Sequence, residues 1–268
     1  IKSANDLITL ENPNYQSAAA RLLLSPIYKE TFGQYNPVPI TKIIDRNIDA
    51  NMTRTSKRPL PQGEITTLNA SLFAFALMAI GTAILISQVN ILTAALTVAS
   101  LIGYAFIYTV FLKRATPQNI VIGGLAGAAP PLLGWTSVTN SIDPNALLLV
   151  LIIFVWTPPH FWALAIYRKD DYARESIPML PVTHGIRFTK LQIILYTILL
   201  VLVSLLPFIV LMSGNIYLFS ALGLGIFYLY SSIKMYLTDD EEYPMTSFKY
   251  SIYYIFLIFF ALLVDHFI

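Results

Sequence analysis

The sequence predicts an all-α fold, a polytopic bundle of helices that cross a lipid bilayer. The first observation is composition: of 268 residues, 56% are hydrophobic and 12% are charged, and the mean hydropathy is +0.65. An average soluble domain carries about 25% charged residues, so an ordinary soluble domain is excluded. The second observation is a series of long apolar runs, since a bilayer-spanning helix requires about 20 mostly apolar residues. The third is that these runs are continuously apolar and lack an alternation of period two, which argues against strands.

Seven windows have the length and composition of spans. In chain order they are residues 69–88, 91–112, 118–138, 146–166, 189–212, 215–236 and 249–267. The connectors between them are short and contain the polar, Gly and Pro residues that are typical of turns. We therefore predict an intramembrane domain over residues 41–268.

The composition also excludes several kinds of site and partner. The chain has no cysteine, which excludes disulfides, thiolate metal sites and a cysteine nucleophile. Its formal net charge is +2, too small in so apolar a chain to indicate a nucleic-acid partner.

Charge placement predicts the orientation of the spans. Beyond residue 40, Lys and Arg occur before the first span and around alternate connectors, while the opposite connectors contain neither. These basic residues are Lys42, Arg46, Arg54, Lys57, Arg58, Lys113, Arg114, Arg168, Lys169, Arg174, Arg187, Lys190, Lys234 and Lys249. By the positive-inside rule the loops that hold them face the cytoplasm, or the matrix in a mitochondrion.

Residues 1–40 do not continue this pattern. They contain no apolar run of spanning length, and they include Pro26, Pro37 and Pro39, which are unfavourable inside a helix. They also lack the apolar core of a signal peptide. We expect an atypical N-terminal segment without a span, and two interpretations stay open: a truncated or misread N-terminus, or a soluble leader.

The first of two loops on the basic side contains a pair of aspartates. If residues 41–53 are helical, Thr41, Asp45 and Asp49 lie on one face of the helix. Two carboxylates one turn apart can share Mg²⁺, which prefers oxygen ligands and leaves room for substrate phosphates. The basic residues that follow are suited to the remaining phosphate oxygens: Arg54, Lys57 and Arg58. The alternative is a solvated juxtamembrane loop whose basic residues only set the topology.

The second loop covers residues 167–185 and contains Asp170, Asp171 and His184. Four predicted spans separate the two loops, an even number, so both loops lie on the same side of the membrane and can contribute to one site. A charged loop at a helix end is again the alternative interpretation. For His184, roles as a ligand and as a substrate contact both stay open.

The predicted span that leads into the second loop contains a histidine well inside its apolar run. His160 follows Pro158 and Pro159, which remove backbone donors and should disturb the helix. An ionisable group at membrane depth is a functional candidate by default, although a hydrogen bond to a freed carbonyl would also explain it. If the helix continues past the span, His160, Tyr167 and Asp171 share one stripe. The small residues at 123–131 are interpreted as helix packing, because no phosphate-loop lysine follows them.

Together these residues resemble the UbiA superfamily of intramembrane prenyltransferases. The matching stretches are IDRNIDANMTRTSKRPLPQGEI, IGGLAGAAPPLLGW, WTPPHFWALAIYRKDDYARESIPMLPVTHG and FKYSIYYIFLIFFALLVDHFI. The resemblance implies nine spans around a central cavity, of which seven are visible here. It also implies two aspartate-rich motifs that bind Mg²⁺ and diphosphate, and the first motif departs from the family pattern in carrying Thr41 where Asn is usual.

Carried over by position, the resemblance implies roles for the residues of the two acidic motifs, and the charge and position of the remaining candidates suggest theirs. Asp45, Asp49 and Asp171 are the expected metal ligands and, with Tyr167, the expected catalytic residues. Asp170 occupies a position that varies within the superfamily and ranks lower. The expected diphosphate contacts are Arg54, Lys57, Arg58 and Arg168, and the expected haem contacts are His160 and His184.

Within the superfamily the match favours the branch that transfers farnesyl from farnesyl diphosphate to a vinyl group of haem b with addition of water, giving haem O for terminal oxidases. The expected partners are both substrates, the bilayer, and a haem A synthase or a terminal oxidase assembly. The expected location is the cell inner membrane, which is favoured over the mitochondrial inner membrane. The open alternatives are a quinone or aromatic-acid acceptor, a transporter or haem-handling protein, and an inactive remnant.

Overall fold

The computed structural model describes residues 43, 46–51, 55–112 and 115–268. Every regular element in these ranges is a helix, as the composition predicts. Contacts divide the chain into two compact units, residues 1–76 and 77–268. The predicted N-terminal segment 1–40 lies outside the described residues, and so do Thr41, Asp45 and Arg54.

In the unit over residues 1–76, the described residues form two short helices and the beginning of a long one. These are α1 (Arg46–Asn51), α2 (Pro59–Gln62) and α3 (Thr67–Gln88), which continues into the second unit. Pro59 begins α2, where its missing N–H would have no helical partner. Gly63 ends the helix with φ of 79°, a left-handed conformation that glycine adopts at low cost, and its N–H donates to the Leu60 carbonyl at 3.2 Å.

The remaining helices among the described residues lie in the unit over residues 77–268. They are α4 (Ile91–Ile102), α5 (Asn119–Gly127), α6 (Pro130–Thr139), α7 (Pro144–Tyr167), α8 (Lys169–Arg174), α9 (Leu180–Thr183), α10 (Ile186–Ile209), α11 (Asn215–Leu237) and α12 (Tyr243–Phe267). A π-helical segment, Gly103–Leu112, continues α4.

Six stretches among the described residues are long and apolar enough to cross a membrane, so the chain is a polytopic membrane protein. They are Thr67–Gln88, Asn119–Thr139, Pro144–Tyr167, Ile186–Ile209, Asn215–Leu237 and Tyr243–Phe267. The predicted span at 91–112 differs, because its α-helical part is short and the rest is π-helical. That second part is rich in aromatic and β-branched side chains, which fit an α-helix less well.

Four helices of the second unit pack around one apolar core. α7 lies against α10 and α12, and α11 lies against the same two helices. The buried core side chains are Ile152, Val155, Leu200, Val203, Tyr217, Ala221, Tyr228, Tyr254, Ile258 and Ala261. On the outside of these helices large apolar side chains such as Leu202, Phe219 and Phe256 are exposed, as expected where a helix meets lipid.

Hydroxyl groups join the core helices at close range. The Ser204 hydroxyl on α10 lies 2.9 Å from the Tyr254 hydroxyl on α12. The Tyr217 hydroxyl on α11 donates to the Ser204 carbonyl at 2.7 Å. Since lipid supplies no hydrogen-bond partners, such contacts fix one helix against another.

Charged side chains also tie helix ends together. Asp265, near the end of α12, accepts from the Ser213 hydroxyl at 2.6 Å and from the backbone N–H groups of Gly214 and Tyr217, at the start of α11. A carboxylate at this position satisfies the free donors of a helix N-terminus. The buried Lys190 ammonium donates to the Thr238 carbonyl at 2.7 Å, just after α11 ends.

The interpretation of residues 123–131 as a packing segment is supported by two close approaches. A Cβ on Gly123 would overlap the Tyr108 ring, and a Cβ on Gly124 would lie 3.0 Å from the Thr157 methyl group. Small residues therefore let α5 approach the π-helical segment and α7. The helix is interrupted between Gly127 and Pro130, because Pro130 and Pro131 have no backbone N–H with which to continue the helical hydrogen bonds.

Candidate functional site

The described part of the first acidic motif centres on Asp49, which lies in α1. Asp49 is 7% exposed, and its Oδ2 accepts from the Arg58 guanidinium at 2.5 Å. The buried Thr55 hydroxyl donates to the Asp49 carbonyl at 2.9 Å, and the Arg58 N–H donates to the Thr55 carbonyl at 3.1 Å. The turn at residues 55–58 thus brings the first motif's aspartate against a guanidinium nine residues later.

The other basic residues of this loop have different positions. Lys57 is exposed, so its ammonium is available to a ligand from solvent. Arg46 donates to the Thr67 hydroxyl at 2.8 Å and thereby ties α1 to the start of α3. Asp45 and Arg54, which the sequence assigns to the same motif, lie outside the described residues.

The second acidic motif lies at the junction of α7 and α8. Asp171 is in the first turn of α8, and its two oxygens contact two arginines: Arg174 Nη2 lies 2.6 Å from Oδ1, and Arg168 Nη1 lies 3.5 Å from Oδ2. Arg168 also lies over the Tyr167 ring, 5.5 Å from its centre. Three of the predicted site residues, Tyr167, Arg168 and Asp171, are therefore neighbours, while the Asp170 side chain is exposed.

The expected continuous stripe from His160 to Asp171 is wrong, because α7 ends at Tyr167 and Asp171 belongs to a separate helix. Arg168 joins them with φ of −105° and ψ of 21°, outside the helical region. Its side chain in turn contacts both Tyr167 and Asp171. The arginine at the break therefore contacts both motif residues.

His160 is buried in α7 and faces α12. It is 7% exposed and its ring stacks between Trp156, at 4.2 Å, and Phe248, at 4.4 Å. Its Nδ1 lies 2.6 Å from the Ser251 hydroxyl. The alternative of a hydrogen bond to a freed carbonyl is wrong for Nδ1, whose partner is a side chain of another helix.

His184, the second predicted haem contact, has a different environment. It follows α9 and is exposed, with Nδ1 2.8 Å from the Thr183 hydroxyl and its ring 5.3 Å from that of Phe188. The structure does not bring it into contact with His160, which is held by α12.

The acidic motifs suit a hard cation in their chemistry. Among the described residues no three His, Asp or Glu side chains form a metal-binding group. Mg²⁺ does not require one, since it is commonly bound by one or two carboxylates together with substrate phosphates and water. Asp49 and Asp171 provide such carboxylates, each beside arginine donors that match phosphate geometry.

Two side chains at these sites were missed by the sequence interpretation. From the sequence we used Arg174 only to predict membrane orientation. Its position three residues after Asp171 on a helix is nevertheless a recognisable sign of an ion pair between the two side chains. No sequence pattern pointed to the contact between Ser251 and His160, because the two residues lie 91 positions apart in the chain and only helix packing brings them together.

The described residues combine helices of spanning length with two acidic motifs whose aspartates, Asp49 and Asp171, pair with arginines. This combination suits a membrane-embedded transferase that acts on an apolar substrate with a phosphorylated end. The class can be made specific by comparison with known proteins. The chain belongs to the UbiA prenyltransferase family, which matches residues 40–263. It is therefore a prenyltransferase by family.

Curated relatives match most of the chain. The protoheme IX farnesyltransferase of Marinobacter nauticus is 59% identical over 229 residues, which cover 85% of this chain and 76% of that protein. Protoheme IX farnesyltransferase 2 of Pseudoalteromonas atlantica is 60% identical over 228 residues, covering 85% of this chain and 75% of its own length.

Solved structures share the fold. A structure of digeranylgeranylglyceryl phosphate synthase superposes with a TM-score of 0.71 at 20% identity, over 85% of this chain and 79% of that one. A UbiA homologue from Archaeoglobus fulgidus, solved bound to GPP and Mg²⁺, gives 0.53 at 15% identity, over 84% of this chain and 81% of its own. The fold class predicted from the sequence is thereby confirmed.

Proposed function

We propose that this chain transfers a farnesyl group from farnesyl diphosphate to a vinyl group of haem b, with addition of water, to give haem O and diphosphate. The observation that carries the proposal is identity of about 60% over 85% of the chain to proteins named protoheme IX farnesyltransferase. Neither a quinone or aromatic-acid acceptor nor a transporter has comparable support.

In this proposal the acidic motifs bind the diphosphate end of the donor through Mg²⁺. Asp45 and Asp49 in the first motif and Asp171 in the second are the proposed ligands. When bound, Mg²⁺ would stabilise the negative charge of the leaving diphosphate. The proposal is supported by the carboxylates of Asp49 and Asp171, both of which are held in place by guanidinium groups.

Arginines and lysines are proposed to bind the phosphate oxygens that the metal leaves free. They are Arg54, Lys57 and Arg58 in the first motif, and Arg168 in the second. As the carbon–oxygen bond of the donor breaks, its electron pair leaves with the diphosphate, and nearby guanidinium groups stabilise that charge. Tyr167 supports this role by carrying the Arg168 guanidinium over its ring.

The acceptor side of the reaction is proposed to lie within the apolar helices. The vinyl π electrons of haem b form the new carbon–carbon bond with the farnesyl cation. Water then adds to the resulting cation and loses a proton, which leaves the hydroxyl group. His160 and His184 are the proposed haem contacts, and exclusion of bulk water by apolar helices protects the first cation from hydrolysis.

The proposed location is the cell inner membrane with both acidic motifs on the cytoplasmic side. The relatives are bacterial, and the basic residues flank the motifs as the positive-inside rule requires. The product would pass to a haem A synthase or a terminal oxidase assembly.

The experiment is expression of the chain in membranes that lack haem O, followed by haem extraction and mass spectrometry. We expect a mass gain of one farnesyl group plus water. Asp171→Asn should abolish it, because the variant loses the anionic ligand at constant volume. Asp170→Asn, the same change at the exposed neighbour, should retain it.

Two results would contradict the proposal. Unmodified haem b in membranes that contain the folded wild-type chain would overturn the reaction. Equal activity of Asp171→Asn and the wild type would overturn the metal role of Asp171.

A further inference from the structure

Three side chains fix the orientation of the His160 ring. The ring lies nearly parallel to Trp156, with an interplanar angle of 19°, and to Phe248, with 23°. Two aromatic faces thus fix the plane of the imidazole. A third contact, from Nδ1 to the Ser251 hydroxyl, fixes its rotation within that plane.

The Ser251 hydroxyl determines which ring nitrogen carries the proton. It lies 2.6 Å from the Phe248 carbonyl and 2.6 Å from His160 Nδ1. A serine hydroxyl has one hydrogen, and a carbonyl oxygen can only accept. Both contacts are satisfied when Ser251 donates to Phe248 and accepts from the Nδ1–H of His160. In the neutral ring Nε2 then carries the lone pair.

Ser251 is itself held firmly. It is completely buried, and its backbone carbonyl accepts from the Trp156 indole N–H at 2.8 Å. Trp156 also stacks on the His160 ring, so α7 and α12 are joined by a closed set of contacts among Trp156, His160 and Ser251. The hydrogen bonds of the described residues engage His160 through Nδ1, which leaves Nε2 for a ligand.

We propose that Ser251 is a positioning residue that holds His160 as the Nδ1–H tautomer and presents the Nε2 lone pair to the iron of the porphyrin substrate. The inference rests on the proposed function and adds to it the atom that binds and the residue that orients it. Histidines that ligate metals commonly donate their other ring N–H to an oxygen, which fixes the tautomer and increases the basicity of the ligand. Axial histidine ligation of haem iron uses the same arrangement.

The test is titration of the purified chain with ferric haem b in detergent, followed by absorption spectroscopy of the Soret band. We expect saturable binding with a Soret shift that His160→Gln abolishes. Ser251→Ala should raise the Kd for haem ten- to hundredfold, the usual effect of removing the residue that orients a metal ligand.

Ser247→Ala is the matched control. Ser247 lies one turn earlier on α12 and is 1% exposed, and its hydroxyl has no hydrogen-bond partner in the described part of the chain. The same substitution there should leave the Kd and the spectrum unchanged. An equal effect of Ser247→Ala and Ser251→Ala would mean that only helix packing had been lost, and would overturn the inference.

Further outcomes separate this inference from the proposed function. The inference is overturned if either His160→Gln or Ser251→Ala retains the wild-type Soret band and Kd. In that case the proposed function still holds if the wild-type chain forms haem O in the mass-spectrometric assay. Absence of haem O overturns the proposed function, whereas a haem spectrum that depends on His160 and Ser251 still supports the binding geometry. Absence of saturable haem binding to the wild-type chain overturns the inference.

Discussion

Arginine–carboxylate pairs hold Asp49 in the first acidic motif and Asp171 in the second. Asp49 and Arg58 have side chains that are 9% and 15% exposed, and Asp171 is bracketed by two arginines. A carboxylate removed from water is costly unless a partner balances its charge. The guanidinium groups supply that balance, and in the proposed function they also bind phosphate oxygens. A cation that binds either aspartate therefore competes with an arginine.

Removal of Arg58 should weaken binding of the phosphorylated substrate. In Arg58→Ala the buried Asp49 carboxylate loses its ion partner, and the proposed phosphate donor is lost as well. We expect the KM for farnesyl diphosphate to rise about tenfold, which corresponds to about 1.4 kcal/mol. Initial rates at saturating Mg²⁺ measure it. Glu64→Gln, an exposed change in the same unit, should leave the KM unchanged, and a similar rise in both variants would contradict the assignment.

At the scale of elements, close approach between helices depends on particular glycines. A Cβ on Gly225 of α11 would lie 2.9 Å from a methyl group of Val201 on α10. Gly223 on the same helix has nothing within 4 Å of such a Cβ. The two positions therefore separate a packing glycine from one that tolerates a side chain.

We expect Gly225→Ala to destabilise the packing of α10 against α11, because the added methyl group forces the helices apart. Overpacking of this kind typically costs about 1–3 kcal/mol. The midpoint of thermal unfolding in detergent should fall for Gly225→Ala and stay within about a degree for Gly223→Ala, since changes without new contacts alter stability little. Equal midpoints for both variants would show that α10 and α11 can separate without cost.

Element boundaries were the weaker part of the sequence interpretation. The apolar run at 91–112 is continuous in composition, yet its second half is π-helical. The run at 118–138 is divided ahead of Pro130, a boundary that the proline pair signals locally. Hydropathy reports burial in lipid and is insensitive to the helix type that fills a span.

At the scale of the whole molecule, the distribution of charge predicts which connectors face the cytoplasm. Because the chain has no cysteine, single introduced cysteines can report the side of each connector without background. Ser141 precedes α7 in a connector without Lys or Arg. Asp239 precedes α12 in a connector that Lys234 and Lys249 flank, and both side chains are exposed.

In intact cells a membrane-impermeant maleimide should label Ser141→Cys and leave Asp239→Cys unlabelled. Permeabilised cells should give labelling of both, which controls for accessibility. The physical reason is the cost of moving Lys and Arg across the bilayer during insertion. Labelling of Asp239→Cys but not Ser141→Cys in intact cells would reverse the proposed orientation.

The sequence by itself determined the fold class, most spans and the acidic motifs, because composition, span length and local spacing are properties of consecutive residues. It also found His160 as an ionisable group at membrane depth. Only the tertiary structure decided what those groups contact. The end of α7 at Tyr167 separates Asp171 from the stripe of His160, and Ser251 reaches His160 across 91 residues of chain. Such pairings depend on how helices pack against each other, and no local pattern of residues encodes them.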